Sequence, residues 1–426
     1  MTRAPVLRFG PLDLERWFLW GSVPLVLAAL PLVFSRGFAL TLLSQMGIMV
    51  IFALSYNMLL GQSGMLSFGH AVYSGLGAYF AVHALNLIGK GALALPVSLL
   101  PLVGGLAGAL FGVLFGWITT KKSGTVFAMI SLGIGEMVAA CSLMLPGFFG
   151  GEGGVTANRQ AGPAVLGITY GPAVQVYYLI TVWTLLATVA MFALTRTPLG
   201  RIANAVRDNP ERAEFVGYDT HVVRFLQLVL ASFFAGVAGG LSAINFEIVT
   251  AEAVGVMQSG GVLLATFIGG AGFFVGPILG AVIFTFFVVA ISAMTKAWLL
   301  YLGLFFIAMV LFAPGGIASV LALNLRAARA GLLRRLAPAY AAAAAAGLAA
   351  LAGFVALVEM TYHLKLEAVN DPVLRLFGLA LDVRAGVPWV GAAIVLLAGS
   401  ALYWRAWKRV RARWNEVHER LGERAA

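Results

Sequence analysis

Residues 92–146 read ALALPVSLLPLVGGLAGALFGVLFGWIT, then TKKS, then GTVFAMISLGIGEMVAACSLMLP. Two apolar stretches flank a short step carrying Lys121 and Lys122. At a rise of 1.5 Å per residue, about 20 apolar residues cross a hydrocarbon layer of roughly 30 Å. The segment therefore reads as two membrane-spanning helices joined by a cationic turn.

The rest of the chain repeats this pattern. Of its 426 residues 61% are apolar and 11% charged, against roughly 25% charged in an average soluble domain. With 28 basic and 17 acidic side chains, the chain cannot cover its apolar surface in water, which excludes a soluble enzyme. The fold class expected is all-α: a polytopic helical membrane protein with about 10 core spans and a C-terminal transmembrane hairpin. Apolar runs fall at residues 17–34, 38–60, 65–85, 92–119, 124–146, 172–195, 225–245, 255–270, 273–294, 297–314, 338–358 and 387–405. The first lacks a convincing small-residue cleavage site and reads as a retained span. Runs 65–85 and 255–270 are short and glycine-rich, as broken or re-entrant helices are.

Charge gives the orientation. With the amino terminus inside, the inner segments hold 21 of the 28 basic residues and the outer segments the other 7, so the positive-inside rule puts both termini in the cytoplasm. The net charge of +11 is spread over separate inner loops with no polar domain to display it, so nucleic acid is not expected as a partner. Membrane lipid is: the tail Arg405-Ala-Trp-Lys-Arg-Val-Arg-Ala-Arg-Trp414 interleaves cations with tryptophan, which favours anionic headgroups, while a solvated topological anchor is the plainer reading. Cys141 stands alone and excludes an internal disulfide or a cysteine metal cluster.

Gly104, Gly108, Gly112 and Gly116, and likewise Gly272, Gly276 and Gly280, recur every four residues and form stripes where a neighbouring backbone can approach. Glu136 lies mid-run, where a carboxylate must face water or a partner, and reads equally as a functional group or a structural hydrogen bond to a neighbouring helix. Gly61-Gln-Ser63-Gly64 with His70 imitates a serine-protease turn, but seven helical residues would separate serine and histidine by about 10 Å. Gly89-Lys90-Gly91 lacks the rest of a phosphate-binding loop, so any ATP is handled by another chain.

The longest charged interruption, residues 196–224, contains clear capping signals. Asn209 is a good N-cap, Pro210 suits the first helical position, Glu211 favours the positive end, and Gly217 can stop the chain in a left-handed conformation. A two-turn helix over residues 210–216 follows. Gly200-Arg201, Arg207-Asp208-Asn209-Pro210-Glu211-Arg212-Ala213 and Gly217, then Ala231-Ser232, Gly236 and Gly239, resemble the ATPase-coupling region of branched-chain amino-acid ABC transporter permeases, specifically the larger, M-type permease. Gly61-Gln62-Ser63-Gly64-Met65-Leu66-Ser67-Phe68-Gly69-His70, with Gly75, Gly77 and Tyr79, resembles that family's early glycine-rich signature. Glu136 with Phe149-Gly-Gly-Glu-Gly-Gly154, and Gly269-Gly270 through Gly276-Pro277 to Gly280, match two further landmarks. The resemblance covers roughly residues 38–315. It departs at Ala139, where the family often has a basic residue, and over residues 338–405.

The resemblance implies a transporter subunit, not an enzyme: the permease of a bacterial inner-membrane importer for branched-chain amino acids or a related small polar solute such as urea. The implied partners are a second permease, two ATPase subunits that bind ATP and Mg, and a periplasmic or surface substrate-binding protein. No cofactor or metal is expected in this chain. The implied coupling residues are Arg207, Asp208, Asn209, Pro210, Glu211, Ala213 and Gly217. The translocation path is expected at Gly61, Gln62, Ser67, Gly69, His70, Gly75, Gly77, Tyr79, Glu136, Thr266, Gly269 and Gly270. The expected organisation is a cytoplasmic segment 1–16, a permease domain 17–325 with its coupling loop 196–224, a basic linker 326–337, an additional hairpin 338–405 and a basic tail 406–426. A secondary transporter or channel is the competing reading. It would be expected to carry several embedded ionisable residues, whereas Glu136 stands essentially alone.

Overall fold

The computed structural model describes residues 14–34, 36–162, 167–329, 331–366 and 372–423. The segment expected at 1–16 lies, up to residue 13, outside the described residues, and so do residues 424–426 of the expected tail. The chain divides into two compact units, between Phe286 and Phe287.

In the first unit the helices are α1 (Leu14–Val33), α2 (Gly37–Asn57), α3 (Ala71–Gly89), α4 (Leu100–Thr119), α5 (Gly124–Met144), α6 (Pro146–Phe149), α7 (Ala173–Arg196), α8 (Pro198–Asp208), α9 (Pro210–Phe215), α10 (Thr220–Phe246), α11 (Val256–Gly269) and α12 (Gly276–Thr285). Strands β1 (Val155–Thr156) and β2 (Ile248–Val249) form an antiparallel ladder pairing Val155 with Val249. Among the described residues, α3 and α10 are the most enclosed long apolar helices.

Their burial follows from glycine. A Cβ at Gly104 or Gly108 would meet the α10 backbone at Gly236 or Ser232, and one at Gly77 would run into both Gly236 and Gly104. Helices α3, α4 and α10 thus meet backbone to backbone, the contact by which helices associate in lipid without a hydrophobic driving force. In the other ladder, Gly276 and Gly280 pack against Gly269–Gly270 and Ala265. Gly272 does not join them: α12 begins at Gly276, and no atom lies within 4 Å of a Cβ built at Gly272. Sequence spacing assumed a helix that the turn at Gly270, at φ +104°, interrupts.

The second unit holds α13 (Ser292–Met294), α14 (Trp298–Phe312), α15 (Gly316–Arg329), α16 (Leu333–Leu366) and α17 (Gly386–Glu423), with an antiparallel hairpin of β3 (Val373–Leu376) and β4 (Leu379–Asp382). Helix α16 packs along α17, with Gly353 against the α17 backbone at Ala392 and Leu396, and Gly399 against Ala350. Thr295 and Tyr301 both donate to Glu359 Oε1, at 2.6 and 2.7 Å, so this carboxylate within an apolar helix is satisfied.

The molecule is an all-α polytopic membrane protein. Among the described residues nine helices are long and apolar enough to span a bilayer, and the α14–α15 pair, bent by 51°, has the length and composition of a broken span or a re-entrant loop. The runs read at 17–34 and 255–270 correspond to shorter apolar helices, Gly21–Val33 and Val256–Gly269. Neither helix α8 nor the two small ladders are foreseen from the runs, since they are short and their pairing is non-local. Helix α17 continues to Glu423, well past the apolar run ending at residue 405.

Candidate functional site

At one end of the first unit, α2 runs into a π-helical turn, Met58–Gln62, and the chain then stays irregular until α3 begins at Ala71. Such turns interrupt the regular ladder and often mark functional positions. Three hydroxyls hold the irregular stretch. Tyr56 donates to the Ser67 carbonyl at 3.0 Å, Phe68 N–H donates to Ser131 Oγ on α5 at 3.0 Å, and Ala71 N–H donates to Ser259 Oγ on α11 at 3.0 Å. Ser67 and Phe68 lie outside a regular helix and Ala71 opens α3, so each bond satisfies a backbone group that has no intrahelical partner.

His70 stands at the start of α3, fully buried. Its Nε2 shares a hydrogen bond with Ser55 Oγ at 3.0 Å, and its ring stacks on Phe52 and meets Tyr56 and Tyr73 edgewise. Ser63 donates instead to the Met58 carbonyl, so the serine and histidine of the protease-like pattern engage different partners. A Cβ at Gly69 would strike the Ser131 carbonyl, and one at Gly61 would collide with the Asn57 side chain and the Ala271 carbonyl. Three buried polar atoms of this stretch and the helix ends beside it lack a hydrogen-bond partner among the described residues, Asn57 Oδ1, Gln62 Oε1 and His70 Nδ1, and so do Tyr79 Oη on α3 and Gln227 Oε1 on α10.

The polar loop between α7 and α10 lies against this turn. Thr197 caps α8, its Oγ1 accepting from Gly200 N–H at 3.3 Å, and Asn209 Oδ1 caps α9 by accepting from Arg212 N–H at 2.9 Å. Gly217, at φ +95°, ends α9. Tyr218 N–H bonds to the Ala213 carbonyl at 3.1 Å and Gly217 N–H to that of Glu214 at 2.8 Å, a doubly bonded helix stop that requires a left-handed residue. Ala203, Val206, Ala213 and Val223 form a small apolar core beneath the loop. Asp208 and Glu211 are exposed, whereas Ala213 is buried. Phe215 is 92% exposed and Val216 70%.

Arg207 joins the two regions. Its Nη1 donates to the Gly61 carbonyl in the π-helical turn, while Nε donates to Asp208 Oδ1 at 2.9 Å. Its aliphatic stem lies against Gly64, at φ +66°, where a Cβ would sit 2.8 Å from Arg207 Cγ. The residues expected to couple and the glycine-rich signature, 146 positions apart between Gly61 and Arg207, are thereby brought together.

The remaining expected path residues are distributed differently. Ser67, Tyr79 and Thr266 are buried, Tyr79 packing edgewise on Phe149 and Thr266 bonding to the Val262 carbonyl. Gly75 abuts Ala253 and Val254, and Gly269 abuts Gly276. Glu136 is exposed on α5. At the far end of the unit, Arg159 donates to the carbonyls of Tyr170, Gly171 and Asn245 and pairs with Glu247 at 3.7 Å. This cross-link fixes the segment that carries Phe149 and the glycines at 150–154.

Residues 38–314 match the family described as "Branched-chain amino acid transport system / permease component". The chain belongs to this family. The match includes the π-helical turn, the loop between α7 and α10 and the Gly269–Gly280 turn, and ends within the second unit. The high-affinity branched-chain amino acid transport system permease protein LivM of Salmonella typhimurium is 27% identical over 313 residues, covering 68% of this chain and 72% of its own. LivM of Escherichia coli is 27% identical over 316 residues, covering 69% and 73%. No solved structure matches.

Within this permease the sequence carries signals for some of the site and not for the rest. Ser259 falls in Gln258-Ser-Gly260, an echo of Gln62-Ser-Gly64. Tyr56 and Ser131 lie in apolar runs without a motif, and the Phe68 N–H that Ser131 accepts from is 63 residues away. Nor does sequence mark Phe215 and Val216, whose exposure depends on how α9 is turned.

Proposed function

We propose that this permease forms the translocation path of an ABC importer for branched-chain amino acids or a related small polar solute. It acts with a second permease and with separate ATPases that bind ATP and Mg. The observation that carries the reading is the exposed apolar pair Phe215–Val216 on a rigidly capped helix within a charged loop. A large apolar side chain standing in solvent beside helix stops marks a contact with another protein. Arg207, in the last turn of α8 just before α9, bonds to the irregular stretch at 61–70, so movement imposed on α9 passes through the end of α8 to the segment that would open. The unpartnered oxygens of Gln62, Asn57 and Gln227 and His70 Nδ1 support this reading, since buried polar groups without partners are costly and would gain water or solute on opening. Glu136, exposed at mid-span, faces the second permease or the path, where lipid would leave it unsolvated. The bias of basic residues supports both termini being cytoplasmic, in a bacterial inner membrane where an extracytoplasmic binding protein delivers the solute.

Purification of the full complex tests this. ATPases and a second permease are expected to co-elute with the wild-type chain, and Phe215→Asp is expected to release the ATPases while leaving the second permease bound. A wild-type chain that drives uptake alone, without ATP, would refute the proposal and favour a gradient-driven transporter.

A further inference from the structure

The second unit continues past residue 314, where the family match ends, and one end of it is unusually basic. Within residues 316–358 and 386–415 there is no acidic side chain; the next acid of the tail is Glu416. Arg326, Arg329, Arg334, Arg405, Lys408, Arg409, Arg411 and Arg413 are all exposed. They sit on a built platform. Trp414 Nε1 donates to Tyr340 Oη at 2.7 Å, and Tyr340 donates to Asn324 Oδ1 at 3.0 Å, a chain that ties α17 to α16 and α15. Ala327, Leu332 and Leu336 pack beneath Tyr340 and Trp414, and Ala339, Ala343, Ala406 and Val410 pack between α16 and α17. Lys408 Nζ lies 3.5 Å from the ring centre of Trp404, which is itself 61% exposed.

Depth identifies the partner. From Gly386 to Trp404 helix α17 is apolar, and at 1.5 Å per residue this run rises about 27 Å, close to the thickness of the hydrocarbon layer. Trp404 and Arg405 therefore fall at headgroup level, where tryptophan is enriched and cations meet lipid phosphates. A surface this rich in cations, held rigid at that depth and without an acid before Glu416, is complementary to negative headgroups.

We propose that the basic end of α15, α16 and α17 is a docking surface for the phosphate headgroups of anionic phospholipids. Its function is to hold the second unit to lipid of that charge, independently of transport by the first unit.

Native mass spectrometry of the full-length chain, titrated with phosphatidylglycerol or phosphatidylcholine in detergent, tests this. Each cation near an anionic surface is worth roughly fivefold in binding. Arg405→Gln/Lys408→Gln is expected to weaken phosphatidylglycerol binding by about 20-fold, and Arg326→Gln/Arg329→Gln to act similarly. Lys121→Gln/Lys122→Gln, the same change of charge on a short turn without the tryptophan–tyrosine platform, is expected to weaken it less than either platform variant. Glutamine preserves helix propensity, so the melting temperature serves as a check that the variants fold. Equal weakening by the Lys121/Lys122 pair, equal binding of the two lipids, displacement by inorganic phosphate, or unchanged binding in both platform variants would each overturn the proposal.

Discussion

Arg207 shows how much one side chain carries in this permease. It bonds to the Gly61 carbonyl, to Asp208, and packs its stem on Gly64. Lysine keeps the charge but cannot reach two acceptors in divergent directions. With the Arg207 side chain 37% exposed, the lost bond to a charged donor amounts to about 1.5 kcal/mol, so Arg207→Lys is expected to reduce uptake roughly tenfold at unchanged protein level. Uptake assays in membranes check this, and wild-type rates would remove Arg207 from the link. Glycine contacts make a second residue-scale test. A methyl at Gly236 would strike the Gly104 carbonyl, whereas no atom lies within 4 Å of one at Gly303. Gly236→Ala is expected to destabilise the chain by about 1–3 kcal/mol through overpacking. Gly303→Ala is expected to leave stability equal or slightly raised, because alanine favours helix. Thermal unfolding of both purified variants compares them.

At the scale of the element, α9 depends on its two ends. Nothing within 4 Å would obstruct a Cβ at Gly217, so substitution there acts only through the backbone at φ +95°. Valine in that region costs at least about 1–2 kcal/mol, and asparagine less. Gly217→Val is expected to abolish solute-stimulated ATP hydrolysis and uptake in the reconstituted importer without loss of insertion, while Gly217→Asn retains most of both. Equal activity of the two variants with wild type would show that the helix stop has no part in coupling. The caps of α9 were legible because capping depends on neighbours in sequence: Asn209, Pro210 and Gly217 are read directly. Helix α8 was not, for its pattern is short and lies within a loop dominated by charge.

At the scale of the molecule, the threefold bias of basic residues predicts both termini on the cytoplasmic side. A reporter active only in the cytoplasm, fused after Ala426, is expected to be active; a silent fusion at normal expression would reverse the placement of the tail. The sequence alone determined that the chain is a bundle of membrane helices and where nearly all of them lie, because hydropathy and length are local properties. It also marked Gly104, Gly108, Gly276 and Gly280 as positions where helices approach, but not that Gly272 stands outside a helix. Only the tertiary structure decided which polar groups meet. Ser131 and Ser259 reach the backbone at Phe68 and Ala71, and Arg207 reaches Gly61, across sequence separations that carry no periodic signal. In lipid the apolar surface of one helix resembles that of another, so pairing rests on close packing and a few hydrogen bonds, and those form only once the whole bundle has assembled.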